Sequence, residues 1–232
     1  MPFHYDLKEI PTKLCALWDL LSEEEKQLFS ESIRIQVYKK NEIIYHEGES
    51  PDNLLCLLEG KVKIYRDGVG GRSQIMRVMR PVQYFGYRAS LANEPYVTAA
   101  AAFEESVICI IPMRIVNATM NQNNALCRFF IQELATDLGM ADRRTVSLTQ
   151  KHVRGRLAEA LLFLKDAYGL DDDGLTLGIH LSREDLANLS NMTTSNAIRT
   201  LSSFASEGLI TINGRRIVLH EVDKLKRISH IG

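Results

Sequence analysis

Cysteine is scarce. Four residues, Cys15, Cys56, Cys109 and Cys127, stand far apart with no C-x-x-C pair. This spacing argues against a disulfide framework and a zinc knuckle, and it points to a reduced, cytoplasmic protein. No run of about 18 apolar residues occurs, so no membrane span is expected. Residues 1–10 carry Asp6 and Glu9 and lack an apolar core, so no secretion signal is expected there. An excess of one charge is also missing. With 28 Lys and Arg against 29 Asp and Glu, the formal charge is −1, which excludes a bulk polycation. There is no P-loop, no G-x-S-x-G, no H-E-x-x-H and no cluster of metal ligands, so neither an enzyme nor a metal site is predicted. Aromatics reach only 7%, but 45% of the 232 residues are hydrophobic. That is enough apolar material for one large domain or two small ones.

What is present is unevenly placed. Residues 1–142 hold 15 basic and 19 acidic side chains, and residues 143–232 hold 13 and 10. The sign change points to a polyanion at the C-terminal part. Short runs rich in Ile, Leu, Val and Tyr occupy 33–38, 42–46, 54–58, 62–66, 74–79, 97–103 and 107–111. Turn signals such as Lys40-Asn41, Glu59-Gly60 and Gly70-Gly71 separate them. Strands at this spacing predict an antiparallel sandwich or barrel. The irregular stretch 84–96, with Gly86, Pro95 and several aromatics, is the expected pocket wall. Residues 124–148 then read as one helix, roughly 37 Å long at 1.5 Å per residue. Cys127, Phe130, Ile131, Leu134, Leu138, Ala141, Thr145 and Leu148 form its apolar stripe. A long helix with a narrow stripe predicts pairing with a second copy. A further helix runs from about His152 to Tyr168. The acidic run Asp171-Asp172-Asp173 is expected to be a solvated turn, since the twelve-residue calcium pattern is absent.

Residues 181–219 carry the most chemistry. Ser182 is placed to cap a helix that opens with Glu184 and Asp185, which suit its positive end. Asn191 stands where a tight turn needs a left-handed residue. Thr193 caps the next helix, from Thr194 to Glu207, and Gly208 stops it. Asn213-Gly214 between two β-runs is a strong hairpin signal. Two short helices and a hairpin make a winged helix-turn-helix, whose second helix enters the major groove of double-stranded DNA. Thr194, Ser195, Asn196, Ile198 and Arg199 are the expected base readers, because Asn pairs with adenine, Arg with guanine and an apolar group with the thymine methyl. Ser182, Arg183, Thr193, Arg215 and Arg216 are the expected phosphate contacts.

Here the sequence resembles the CRP/FNR family of bacterial transcription regulators. The resemblance rests on Tyr38-Lys39-Lys40-Asn41-Glu42-Ile43-Ile44-Tyr45-His46-Glu47-Gly48, then Asp52, Leu54, Leu57, Gly60, Val62, Lys63, Ile64 and Tyr65. In the C-terminal part it rests on Ser182-Arg183-Glu184-Asp185-Leu186-Ala187, Met192-Thr193 and Arg199. It covers roughly residues 15 to 222.

It implies an α+β chain with a cyclic-nucleotide-binding-type double-stranded β-helix (jelly-roll-like) sensor domain over 1–123. A dimerisation helix and hinge would follow over 124–150, and a winged helix-turn-helix over 151–232. It further implies a homodimer on a near-palindromic DNA site, regulation through RNA polymerase, and gating by a small effector. The effector pocket would fall at Tyr84, Phe85, Gly86, Tyr87, Arg88, Val97, Thr98, Ala141 and Asp142, with Tyr96 beside them.

The family's cAMP pattern has Gly-Glu and, about ten residues on, Arg-Ser or Arg-Thr. This chain has Gly86-Tyr87 and Val97-Thr98 instead. Burying a phosphate without a cation is costly, so cAMP is not the expected effector. An iron–sulfur centre is not expected either, because Cys15 stands alone. Haem, with Pro2, His4, His46, Cys56 or Cys109 as donors, and redox sensing remain alternatives within the same fold. A sensing module that acts on a protein partner is the alternative outside it.

Overall fold

The computed structural model describes residues 14–68 and 73–231. Pro2, His4 and the Gly70-Gly71 turn lie outside the described residues, as does the side chain of Cys15. The chain forms two compact units. One lies within Met1–Arg66 and Met76–Leu138, the other within Asp67–Ile75 and Gly139–Gly232. The division falls inside the long helix. Among the described residues no helix is long and apolar enough to cross a membrane.

The first unit begins with helices α1 (Cys15–Trp18) and α2 (Glu23–Ser32). Ser22 and Glu25 close a reciprocal capping box at the start of α2. Strands β1 (Arg34–Tyr38), β2 (Ile43–Tyr45), β3 (Asn53–Glu59), β4 (Val62–Asp67), β5 (Ser73–Met79) and β6 (Gln83–Phe85) follow. A short helix α3 (Tyr87–Leu91) precedes β7 (Ala99–Ala102), β8 (Ser106–Pro112) and helix α4 (Met113–Met120). The expected strand at 97–103 is thus shorter, and Val97 and Thr98 precede it. The expected irregular stretch 84–96 holds the end of β6 and a turn and a half of helix.

Two four-stranded antiparallel sheets result, in the orders β1-β8-β3-β6 and β2-β7-β4-β5. Strand β3 is buried on both faces, which explains its near-continuous apolar sequence. Its Leu55 and Leu57 meet Phe85, Tyr45, Ala100 and Ala102 between the sheets. Its Leu54, Cys56 and Leu58 face a helical layer with Leu17, Phe29, Val116, Leu126 and Phe130. Gly60, at φ +89°, is obligatory at the turn into β4, since a Cβ there would lie 2.4 Å from the Ser106 hydroxyl and 2.5 Å from the Glu105 carbonyl.

The aromatics split between these two cores. Tyr84 and Tyr87 point into the helical layer, while Phe85 and Tyr96 point between the sheets. The Tyr84 hydroxyl donates to the Leu14 carbonyl at 2.8 Å. The Tyr87 hydroxyl is buried and has no hydrogen-bond partner among the described residues. Burial first, then Asp137 and Glu133, hold its phenol far above the usual range. Tyr87→Phe removes that orphan hydroxyl and keeps the ring packed on Phe130, 5.0 Å between centroids. We expect it to stabilise the fold by about 1 kcal/mol. A lower thermal midpoint for the variant would show that the hydroxyl is satisfied.

The second unit takes in the end of helix α5 (Asn124–Gln150), then α6 (Val153–Tyr168), α7 (Arg183–Leu189), α8 (Thr194–Ser206), hairpin β9 (Ile210–Asn213) and β10 (Arg216–Leu219), and α9 (Val222–Ile231). The hairpin register pairs Arg216 with Asn213 and Leu219 with Ile210, so the two-residue connection is Gly214-Arg215, with Gly214 at φ +61° as its first residue; the turn lies one residue on from the expected Asn213-Gly214. Leu157, Leu161, Leu186, Ala187, Ala197, Leu201, Phe204, Ile217 and Leu225 form its buried interior. Helix α5, 27 residues long, spans about 40 Å.

Candidate nucleic-acid interface and sensor cleft

Both helix starts of the helix-turn-helix are capped from the side chain. The Ser182 hydroxyl accepts from the Asp185 amide at 3.0 Å and donates to the Asp185 carboxylate at 2.6 Å. The Thr193 hydroxyl accepts from the Asn196 amide at 3.2 Å. Asn191, at φ 48°, makes the left-handed turn between α7 and α8.

Helix α8 buries Ala197, Thr200, Leu201 and Phe204. The opposite face presents Thr194, Ser195, Ile198 and Arg199, with Asn196 half-buried beside them. Ile198 is 48% exposed, so it is not part of the core. The Arg199 guanidinium donates to Asn196 Oδ1 at 2.8 Å, which holds the two side chains side by side. The exposed Ser202 continues this face one turn on. The sequence reading missed it because a lone Ser carries no pattern.

The five residues expected at phosphates are placed differently from one another. Ser182 and Thr193 act as caps. Arg183 donates to the Gly214 carbonyl at 2.6 Å and so ties α7 to the wing turn. Arg216 lies 3.5 Å from the Asp171 carboxylate. Arg215 is exposed at the hairpin turn.

Three arginines that no motif signalled organise this unit. Arg154 donates to Ser203 Oγ at 2.9 Å and to Glu207 Oε1 at 2.8 Å, and its guanidinium stacks 4.8 Å over the Phe204 ring. Arg154 also holds the Glu207 carboxyl below the usual carboxylate range. Arg144 and Arg156 donate to carbonyls of the α7–α8 turn. Burial lowers the Arg144 pKa.

On α5 the expected stripe resolves into two sets. Phe130 is buried in the helical-layer core of its own unit. Ile131 and Leu138 are 60% and 64% exposed. Ala141 and Thr145 are exposed as well, and Cys127, Leu134 and Leu148 are half-buried. Without Phe130 the steps become four, three, four, three, four and three, a stricter heptad pattern than the sequence reading drew.

In the sensor unit, a cleft of about 350 Å³ opens between the sheets at edge strands β1 and β2. Its lining includes Arg34, Gln36, Tyr38, Tyr45, Glu49, Ser50, Asn53, Leu55 and Tyr96. None of the nine residues expected to form the effector pocket lines it. Tyr45 and Tyr96 stack at 3.9 Å. Phe85 packs 6.5 Å from Tyr45, and Gly86 has just 3.1 Å between an added Cβ and the Tyr96 hydroxyl. Arg88 is half-exposed and paired with Glu94 at 2.7 Å. Arg77 of β5, missed in the sequence, is paired with Asp137 of α5 at 2.5 Å. Beside it the Glu133 carboxyl is raised by burial and by Asp137.

The Tyr45–Tyr96 stack and Phe85 pack beside Gly86, and Arg88 there is already paired with Glu94. The remaining donors considered for haem do not converge. Cys56 and Cys109 oppose each other on β3 and β8 inside the helical-layer core, while His46 is exposed in the loop after β2. Burial pushes the Cys109 thiol up to about 12 and Cys56 well above its usual value, so neither is a ready thiolate ligand.

Comparison with known proteins follows the same division. The cyclic nucleotide-binding domain profile matches residues 35–123, and the Crp-like helix-turn-helix domain profile matches residues 155–228. The CRP-like cAMP-activated global transcriptional regulator of Mycobacterium tuberculosis (strain ATCC 25618 / H37Rv) is 24% identical over 191 residues, covering 82% of this chain and 85% of that protein. The anaerobic regulatory protein of Bacillus subtilis (strain 168) is 24% identical over 211 residues, 90% and 89% of the two chains. The solved structure of FixK2 from Bradyrhizobium japonicum superposes with a TM-score of 0.76 at 23% identity, over 84% of this chain and 96% of that one. A cyclic-nucleotide-type β-sandwich, a long helix and a Crp-like winged helix-turn-helix follow one another here in the order these relatives share, and the chain belongs to the CRP/FNR family of transcription regulators.

Proposed function

We propose that the protein is a homodimeric, sequence-specific DNA-binding regulator, gated at its sensor unit by a small effector other than cAMP. The observation that carries the DNA reading is the exposed polar face of α8, where Thr194, Ser195, Asn196, Ile198 and Arg199 stand together over a buried apolar face. Arg215 at the wing turn supports it, because an exposed cation there suits a phosphate. The heptad-spaced stripe on α5 supports a second copy as the partner, and two heads imply a near-palindromic site that RNA polymerase reads through the regulator.

The effector reading rests on the cleft at β1 and β2. The relatives' own names range from a cAMP-activated regulator to anaerobic regulatory proteins, so family membership does not select the ligand. The residues around Gly86 argue against cAMP, and millimolar cAMP should leave the thermal midpoint unchanged. A midpoint that rises with cAMP concentration would overturn that.

Selection from a random duplex library tests the DNA reading. An enriched near-palindrome, bound with an affinity that falls linearly in log Kd against log salt, is the expected result. No enrichment, with salt-insensitive binding to a protein partner instead, would favour a sensing module without DNA contact.

A further inference from the structure

The turn of the helix-turn-helix leaves three successive carbonyls beyond the reach of its own amides. Within the turn, the Ser190 amide returns to the Leu186 carbonyl and the Met192 amide to the Ala187 carbonyl, both at 3.0 Å. The carbonyls of Leu189, Ser190 and Asn191 instead accept from two arginines outside the motif. Arg144 of α5 donates to Leu189 O at 3.1 Å. Arg156 of α6 donates through Nε to Ser190 O at 3.0 Å and through Nη2 to Asn191 O at 3.1 Å. Its remaining arm, Nη1, donates to Leu148 O at 3.3 Å and Lys151 O at 3.2 Å, where α5 ends. One planar fork therefore bridges the C-terminal carbonyls of the long helix and the turn that aims α8. Both ends are electronegative helix termini or their continuation, so a fixed cation suits them.

We propose that Arg156, assisted by Arg144, is a positioning residue that locks the recognition helix to the last turn of α5 and so determines how well α8 reads base edges. The physical reason is geometric. A guanidinium reaches four carbonyls only while the turn and the helix end keep their spacing, since hydrogen bonds weaken steeply with angle. Lysine keeps the charge and loses the fork. Neither arginine belongs to the exposed face that meets DNA, so neither adds a phosphate contact. This inference rests on the DNA-binding reading, but half of its test does not.

The experiment compares full-length wild type, Arg156→Lys and Arg144→Lys, well below their thermal midpoints, on the selected duplex and on a random duplex of equal length. Arg156→Lys should weaken the selected site about tenfold, the scale expected when buried carbonyls lose a charged donor. Affinity for random DNA and the salt slope should stay as in wild type, because no phosphate contact is lost. Arg144→Lys, which frees a single turn carbonyl, should show a smaller loss of the same kind and serves if Arg156→Lys fails to fold. Equal losses on both duplexes, or an unchanged selected-site affinity, overturn the proposal. Hydrogen exchange gives the arm independent of DNA: the Met192 amide should exchange faster in Arg156→Lys. Unchanged protection overturns the clamp even if DNA binding itself proves absent. Wild type that binds no duplex while Met192 loses protection in the variant would sink the DNA reading alone.

Discussion

Leu138→Glu should convert the proposed dimer into a monomer and remove most of the affinity for a palindromic site. Leu138 is 64% exposed on α5, midway along the stripe of Cys127, Ile131, Leu134, Ala141 and Thr145. In a two-fold pairing the two copies of such a position meet, so the variant would bury two carboxylates facing each other. Neither would have a counter-charge, and like charges at an apolar seam cost more than the lost leucine contact. Separate heads lose the effective concentration that links two half-sites, a factor on the order of 10² to 10⁴ in affinity. Sedimentation velocity at micromolar protein and binding to full and half sites are the measurements. A variant that still sediments as a dimer would show that this stripe is not the interface. Phe130→Ala makes the contrast. Phe130 is 1% exposed inside its own unit, so its truncation should cost about 3–5 kcal/mol of stability while the stripe keeps its surface.

Arg199→Ala should weaken the selected site by about 1–3 kcal/mol, roughly five- to 150-fold, and relax the preference at one base pair. Random DNA should be affected far less. The reason is placement: Arg199 stands on the exposed face of α8, already paired with Asn196 at 2.8 Å, and this shared geometry suits one base edge rather than a phosphate. Arg215→Ala should weaken both duplexes about equally and reduce the salt slope by about one. Fluorescence anisotropy across a salt series reads both effects. Equal losses on the two duplexes for Arg199→Ala would remove it from base reading. Ile198→Ala gives the companion result: at 48% exposure it has little core role, so a loss confined to sites carrying one thymine identifies its methyl contact.

Much of this architecture is written locally. Caps at Ser182 and Thr193, the left-handed Asn191, the hairpin turning at Gly214 and the heptad steps of α5 each depend on residues within a few positions of one another. Backbone sterics and short-range hydrogen bonds impose them wherever the chain goes. Direction is another matter. Tyr84 and Phe85 are neighbours on one strand, and β6 is buried on both faces, so alternation alone cannot say which ring faces the sheet interior and which the helices. Phe130 and Ile131 pose the same problem on α5, where an apolar residue suits either the unit's own core or a partner.

The charged residues were the least legible. Arg183, Arg216, Arg77, Arg144 and Arg156 look alike as letters. Their partners lie between 5 and 60 positions away, at carbonyls and carboxylates that only the folded chain brings near. Local sequence thus determined the elements, their caps and the exposed face of the recognition helix. Tertiary structure decided which aromatics fill the sensor, which apolar residues of α5 stay exposed, and which arginines hold the protein together rather than face solvent. The physical reason is that propensity acts over one turn or one hairpin, whereas burial and ion pairing are settled by whatever the rest of the chain places alongside.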